Sequence, residues 1–343
     1  HMDEADILGR IQKWIQEDKL NFLVNALVGL NTPLPEVVDA IRRYHSIAPA
    51  DAELPPSTDK NVRVSLIRRF CTEQLRFINI AKNFIEVADY YTLLQNIVYS
   101  AGSYGKLGGK SAGLFLASQI LKRCCDDPQL LASLRIPKTW YIASDVTLDF
   151  IHYNNLNEVV EQKYKDINQI RLEYPYIVQT FKNSQFPPEI VKGLSVALDD
   201  FGDTPLIVRS SSLLEDRIGA AFSGKYKSLF LANQGTKQER LTALMDAIAE
   251  VYASVFGPDP IEYRAERNLL DFHEEMGIMI QEVVGTRVGD YWLPLFAGVA
   301  FSRNEFRWSA RIKREDGLLR LVAGLGTRAV DRTSDDYPIL VAP

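Results

Sequence analysis

The sequence of 343 residues is poor in the side chains that build metal and disulfide chemistry, with three cysteines and four histidines. Cys71 stands alone, Cys124 and Cys125 are adjacent, and neither Cys-x-x-Cys nor His-x-x-x-His occurs. That pattern argues against a disulfide framework, offers no zinc-ligand spacing and fits a reducing compartment, so a cytoplasmic location is expected. No apolar run of about 18 residues is present, and no membrane-spanning helix or other membrane partner is expected. No basic, apolar leader opens the chain, and no secretory signal is expected. His1-Met2 reads as an expression-vector remnant. An excess of positive charge is also missing: 39 Lys and Arg face 44 Asp and Glu, a net charge of −5 that argues against a general nucleic-acid partner. Neither internal repeats nor low-complexity tracts are visible. What the chain does have is 46% hydrophobic residues, enough for a substantial core. Its length points to two or three domains.

The most informative stretch is Val208-Arg209-Ser210-Ser211-Ser212-Leu213-Leu214-Glu215-Asp216, followed by Ala221-Phe222-Ser223-Gly224. It continues an apolar strand-like run that begins at Pro205. Arg offers a fixed fork of donors suited to phosphate oxygens. The serines and turn amides add neutral donors, and Gly224 lets the backbone approach a ligand closely. The alternative is a strand ending in a polar turn, with Arg209 paired to Glu215 or Asp216. A second feature is Gly105-Lys106-Leu107-Gly108-Gly109-Lys110-Ser111-Ala112-Gly113, which leads into a helical run carrying Leu114, Ala117, Ile120, Leu121 and Cys124. Helix N-terminal amides attract anions. The loop is not a P-loop, because Gly105 stands one residue too close to Gly109-Lys110-Ser111.

Together these motifs resemble the N-terminal nucleotide-binding region of the phosphoenolpyruvate synthase and pyruvate phosphate dikinase family. Lys110 fills the lysine position of the family's Gly-Gly-Lys pattern, and Arg135–Ile142 stands where its next strand belongs. Arg209, Ser210, Ser211, Glu215, Asp216, Phe222 and Gly224 fall at the spacing of Val-Arg-Ser-Ser-Ala-x-x-Glu-Asp and Phe-Ala-Gly. Val255-Phe256, Tyr263-Arg264, Met279–Val284, Gly298–Ser302, Gly324-Leu325-Gly326 and Asp336-Tyr337 resemble later family segments in order. The resemblance implies an α/β, ATP-grasp-like fold with ATP and Mg2+ as cofactors. It implies that Lys110 and Arg209 are the catalytic cations, and that Gly109, Ser210 and Ser211 join them at the nucleotide. Phe222, Ser223, Gly224 and Lys225 would cover the phosphates. Gln281, Glu282, Val283 and Val284 would form the adenine-side strand. Glu215 and Asp216 are either structural partners of Arg209 or magnesium ligands, so no metal ligand is assigned.

The chain also departs from the family pattern. Lys225 and Lys227 stand where glutamines are usual, Thr327 replaces a glutamate, and residues 303–316 are charge-rich with no family signature. In the family, phosphate passes to a histidine on a further domain and then to the substrate. His45, His152 and His273 do not sit in that histidine's motif, and a Gln-x-Arg-Pro segment is not found. The chain therefore reads as the ATP-binding fragment of a longer phosphotransferase. Its partners would be a phosphohistidine domain and a substrate domain, and alone it is expected to be inactive. The alternative is a nucleotide-sensing or interaction module without catalysis.

Organisation follows from periodicity. Residues 3–100 are predicted to be an all-helical extension. Its helices carry Ile7, Ile11, Trp14 and Ile15; Val37, Val38 and Ile41 after Pro35; one long run from Leu66 through Phe84; and Glu86–Ser100. Its expected role is packing or homodimerisation, with regulation or partner binding as the alternative. Residues 101–204 are expected to form a first sub-lobe, and 205–343 a second. Strands are expected at Thr139–Ile142, Leu206–Ser210, Ser228–Ala232, Gly277–Val284, Leu295–Phe301, Arg307–Ile312 and Leu318–Val322. A helix is expected at Lys237–Phe256, and exposed helices over Phe150–Glu189.

Overall fold

The computed structural model describes residues 21–29, 32–47, 56–214, 224–272, 274–324 and 338–343. It divides into two units, one ending at Glu282 and one beginning at Val283. The first unit opens with helices: α1 (residues 21–28), α2 (Leu34–Ile47), α3 (Pro56–Phe70), α4 (Leu75–Ala81) and α5 (Val87–Leu94). The stripe Leu34, Val37, Val38 and Ile41 of α2 is buried, as helical spacing requires. The expected helix around Ile7–Ile15 lies outside the described residues.

Two breaks in this helical lead depart from the periodic pattern. The run from Leu66 to Phe84 is not one helix. It stops after Phe70, where the amides of Cys71 and Thr72 both donate to Ile67 O at 2.8 and 3.1 Å. Thr72 Oγ1 then accepts from the amide of Gln74 at 3.2 Å, Gln74 is extended, and α4 starts at Leu75. A local hydroxyl-to-amide bond competes here with helix continuation. The predicted helix Glu86–Ser100 also ends early, and Ile97–Val98 forms strand β1.

The sheet explains why the first unit holds together. Helix α6 (Gly109–Cys124) and the short α7 (Pro128–Ser133) lead to β2 (Thr139–Ile142). Helices α8 (Val146–Tyr153), α9 (Ile167–Lys182) and α10 (Pro188–Phe201) follow, then β3 (Leu206–Ser212) and β4 (Ser228–Leu231). Helices α11 (Lys237–Ala253) and α12 (Pro258–Glu266) precede β5 (Met276–Glu282). The mixed sheet runs β1-β2-β5-β3-β4, with β1 parallel to β2 and the other pairs antiparallel. Strands from both sides of residues 204 and 205 are hydrogen-bonded into this one sheet. The described part of the lead is attached as well: Leu34 N donates to Ser103 O at 2.7 Å, and Leu107 N to Phe70 O at 2.9 Å.

Burial in α6 departs from its apolar stripe. Ser111, Ala112, Phe115, Ser118 and Gln119 are buried, while Leu121 and Cys124 are exposed. The segment Phe150–Glu189 is helical as expected but not simply exposed. Phe150, Phe181, Phe186, Tyr252 and Phe256 form an aromatic cluster with centroid separations of 4.6 to 6.4 Å, a favourable range for offset and tilted rings.

The second unit contains β6 (Thr286–Val288), β7 (Tyr291–Leu293), β8 (Phe296–Phe301), β9 (Leu318–Ala323) and β10 (Ile339–Val341). β6 and β7 pair as a hairpin, and β10-β9-β8 form an antiparallel sheet. The strand predicted at Arg307–Ile312 is absent; those residues form an irregular connection. Arg307, Ser309 and Arg311 do alternate with Trp308, Ala310 and Ile312, but the amides of Trp308 and Ile312 donate locally to Phe306 O and Ser309 O at 3.1 Å, so turns take the place of a ladder there. No helix among the described residues is long and apolar enough to cross a membrane.

Candidate functional site

The glycine-rich loop is shaped by close contacts rather than by looseness. Asp145 accepts from Ser103 Oγ at 2.7 Å and from the amide of Tyr104 at 2.5 Å. Lys106 N donates to Ser144 Oγ, and Ser144 N returns a bond to Lys106 O. Gly108 has φ +82°, and a Cβ built there would sit 1.5 Å from Ser211 O. Both the left-handed backbone and the approach to β3 require glycine at that position.

The serines of β3 complete this junction. Ser210, Ser211 and Ser212 are all buried. Ser211 Oγ accepts from Ser111 N at 3.0 Å and lies 2.8 Å from Ser111 Oγ. Lys110 Nζ donates to Ser210 O at 3.2 Å and to Ser210 Oγ at 3.1 Å. Ser212 Oγ donates to Glu274, whose side chain is buried with that of Arg264 at 3.9 Å. Arg264 also donates to Val255 O at 2.7 Å. Two segments that resemble the family, Val255-Phe256 and Tyr263-Arg264, are therefore joined by a buried guanidinium. These bonds rotate α6 away from its apolar stripe, because an unpaired buried hydroxyl or amide costs more than a partly exposed leucine.

Beside the junction lies a cavity of about 470 Å³, lined in part by Gly109, Lys110, Arg209 and Gln281. That volume is in the usual range for small-molecule sites. Gln281 is buried. Its amide nitrogen donates to Thr139 Oγ1 at 2.9 Å, and its oxygen accepts from Arg209 at 3.4 Å. The arrangement fixes the Gln281 amide orientation and directs Arg209 along the cavity wall. Two cations beside a glycine-rich helix start can hold an anion and offset charge that develops on it.

The remaining sequence-predicted residues are placed differently. Ser210 and Ser211 lie beneath α6 as scaffold and do not line the cavity. Glu282 accepts from Arg135 at 2.9 Å and from Lys138 N at 3.0 Å, while its own amide donates to Lys138 O. Val283 and Val284 belong to the second unit, where Val283 O accepts from Trp292 Nε1 at 2.9 Å. Gly224 has φ +80° with open space around it, and Lys225 Nζ sits 5.7 Å above the Tyr263 ring. Lys227 pairs with Glu250 at 2.6 Å. Phe222, Ser223, Glu215, Asp216, His273, Leu325-Gly326, Thr327 and Asp336-Tyr337 lie outside the described residues.

Sequence reasoning missed part of the lining. Cys71, Thr72, Gln74 and Phe77 come from the helical lead. Burial pushes the Cys71 thiol up to about 12, so it is a neutral wall and not a nucleophile. No motif marks these four residues. The available signal is Gly113, a glycine inside a helix, which lines the cavity and would meet nothing within 4 Å if it carried a Cβ.

No carboxylate is among the cavity-lining residues. Among the described residues no group of three or more His, Cys, Asp or Glu could hold a metal ion. The described residues therefore fit an anionic ligand and do not by themselves form a magnesium site.

Comparison with known proteins gives one family. No curated protein matches the chain. The pattern described as pyruvate phosphate dikinase, AMP/ATP-binding domain, matches residues 104–343, which is more than half of the sequence. That region contains the glycine-rich loop, the β3 serines, Arg209 and β5. Its mixed α/β architecture with leading helices agrees with the ATP-grasp-like class expected from the resemblance. The chain belongs to the pyruvate phosphate dikinase AMP/ATP-binding domain family.

Proposed function

We propose that the cavity of the first unit binds ATP, and that the chain is the nucleotide-binding part of a phosphotransferase resembling phosphoenolpyruvate synthase. One observation carries this reading: Lys110 and Arg209 line the same cavity as the first turn of α6, within the family-matched region. Lys110 and Arg209 hold phosphate oxygens and offset charge as a phosphoryl group leaves, which is positioning and electrostatics rather than covalent chemistry. When bound, magnesium would supply neutralisation of the phosphate charge. Glu215 and Asp216 follow Arg209 by six and seven residues, and they would be either structural partners of Arg209 or ligands of that ion. The phosphoryl acceptor in this reading is a histidine on a further domain, as the resemblance implies. His45 stacks on Tyr91 at 3.7 Å and His152 lies on α8, and neither lines this cavity.

The end of β5 reads the purine edge in this proposal. The Glu282 amide is already bonded to Lys138 O, so the other polar groups of Gln281 and Glu282 carry that role. The decisive test is titration calorimetry with Mg-ATP. Lys110→Ala and Arg209→Ala should each weaken binding by about 1.5–3 kcal/mol, the range for hydrogen bonds to charged groups. Unchanged affinity in both variants overturns the site. GTP should compete less well than ATP by roughly 1–3 kcal/mol, because guanine inverts the donor and acceptor at the edge and leaves a buried group unpaired.

A further inference from the structure

The family pattern begins at residue 104, yet one wall of the cavity is built by residues 71–77. This wall is tied to the glycine-rich loop at two points. Leu107 N donates to Phe70 O at 2.9 Å, and Lys106 Nζ pairs with Glu73 at 3.1 Å. Between those ties the helix break presents Thr72 and Gln74 to the cavity, and Phe77 follows on α4. The Gln74 side chain does not cap α4. Phe77 is only partly buried, although it packs against the core on one side.

The cavity lining combines two chemistries. Lys110 and Arg209 supply positive charge, whereas Phe77, Leu114, Leu213 and Met279 supply apolar surface. Gly113 lies among these residues and leaves open space where a larger side chain would intrude. An interior helical glycine disfavours the helix by roughly 1 kcal/mol relative to alanine, and among the described residues nothing lies within 4 Å of a Cβ placed there. A ligand with an anionic end and a flat apolar end matches this division. Aromatic side chains contact base faces, while backbone and amide groups read edges.

We infer that Phe77 and Gln74 of the helical lead contact the nucleoside half of the bound nucleotide, Phe77 through its ring and Gln74 through its amide. This rests on the proposed nucleotide site and adds specificity residues from outside the family region. It is compatible with edge reading by β5, since face and edge are separate contacts.

The test uses the full chain and two ligands, Mg-ATP and Mg-tripolyphosphate, the latter lacking base and ribose. Phe77→Leu keeps apolar packing and removes the ring; Gln74→Ala removes the amide. Phe77→Leu should weaken ATP roughly tenfold, the scale of one base–aromatic contact, and Gln74→Ala about threefold or more. Tripolyphosphate affinity should stay unchanged in both, and thermal melting of the ligand-free variants should match the parent. Equal weakening of both ligands overturns the inference and assigns residues 71–77 a purely structural role. Unchanged ATP affinity in both variants, while Lys110→Ala still weakens ATP, overturns it and leaves the phosphate site standing. No effect from Lys110→Ala or from either variant removes the proposed site together with the inference.

Discussion

The two sheets treat their apolar strands differently. In the five-stranded sheet, β2 is buried throughout and β5 is buried up to Gln281, with α6 and α11 packed against β3. In the three-stranded sheet of the second unit, Phe296 is 61% exposed and Ile339 67% exposed. The second unit's described residues include no α-helix to cover those strands. The first sheet is therefore held by burial as well as by its ladder, and its side chains are fixed firmly enough to aim Arg209 and Gln281. The second relies, within its own unit, on backbone pairing and cross-strand contacts, which contribute less per residue.

The largest test of that contrast is a pair of truncations. Ile280→Ala removes a fully buried side chain of β5 and should cost about 4 kcal/mol in denaturant unfolding, the range for large-to-small core changes. Phe296→Ala should cost about 1 kcal/mol or less, because most of the ring is already in water. Similar losses for both would show that the second sheet is as well packed as the first.

Two glycines sharpen the comparison at the level of backbone. Gly108 has φ +82° and no room for a Cβ, and Gly289 has φ +62° with nothing within 4 Å. Gly108→Ala should destabilise by about 3 kcal/mol, from conformational strain together with a forced separation of α6 from β3. Gly289→Ala faces the conformational cost alone, about 1 kcal/mol. Urea titration of both variants separates close approach from φ. A third glycine should behave oppositely. Gly113→Ala, in the open interior of α6, should stabilise by about 0.5–1 kcal/mol, while Gly113→Leu should fill the cavity and abolish measurable ATP binding.

The smallest effect concerns the thiols. Cys124 is exposed and Cys71 buried, so iodoacetamide should label Cys124 first and Cys71 only on unfolding, as read by peptide mass spectrometry. Burial raises the Cys71 thiol from its ordinary value of 9.0 to about 12. A raised folded value gives stability that is complete below pH 9.0 and is lost as pH rises towards about 12. Cys71→Ala should flatten that part of the stability–pH curve.

Much of the site could be read from local chemistry. Gly108-Gly109-Lys110 before a helix and Arg209-Ser210-Ser211 at a strand end identify groups that the structure brings to one junction. The division of roles inside the motif could not be read that way. Arg209 and Lys110 line the cavity, whereas Ser210 and Ser211 bind α6 from beneath, and this depends on the register of two segments 100 residues apart. The helix face was equally illegible. Periodicity favours Leu121 and Cys124, yet Ser111, Ser118 and Gln119 are buried: Ser111 pairs with Ser211 across the junction, and Ser118 and Gln119 find partners within α6 itself.

The sequence by itself determined the family, the mixed α/β class and the glycine and cation chemistry of the loop. Each of these depends on residue type and short spacing, which tertiary context does not alter. Tertiary structure alone decided which face of α6 is buried and that residues 71–77 wall the cavity. The physical reason lies in the turn after Phe70. A Thr72 hydroxyl bond sits at the break in a run that periodicity would continue as one helix. The segment at the break is tied to a loop more than thirty residues away, Leu107 to Phe70 and Lys106 to Glu73.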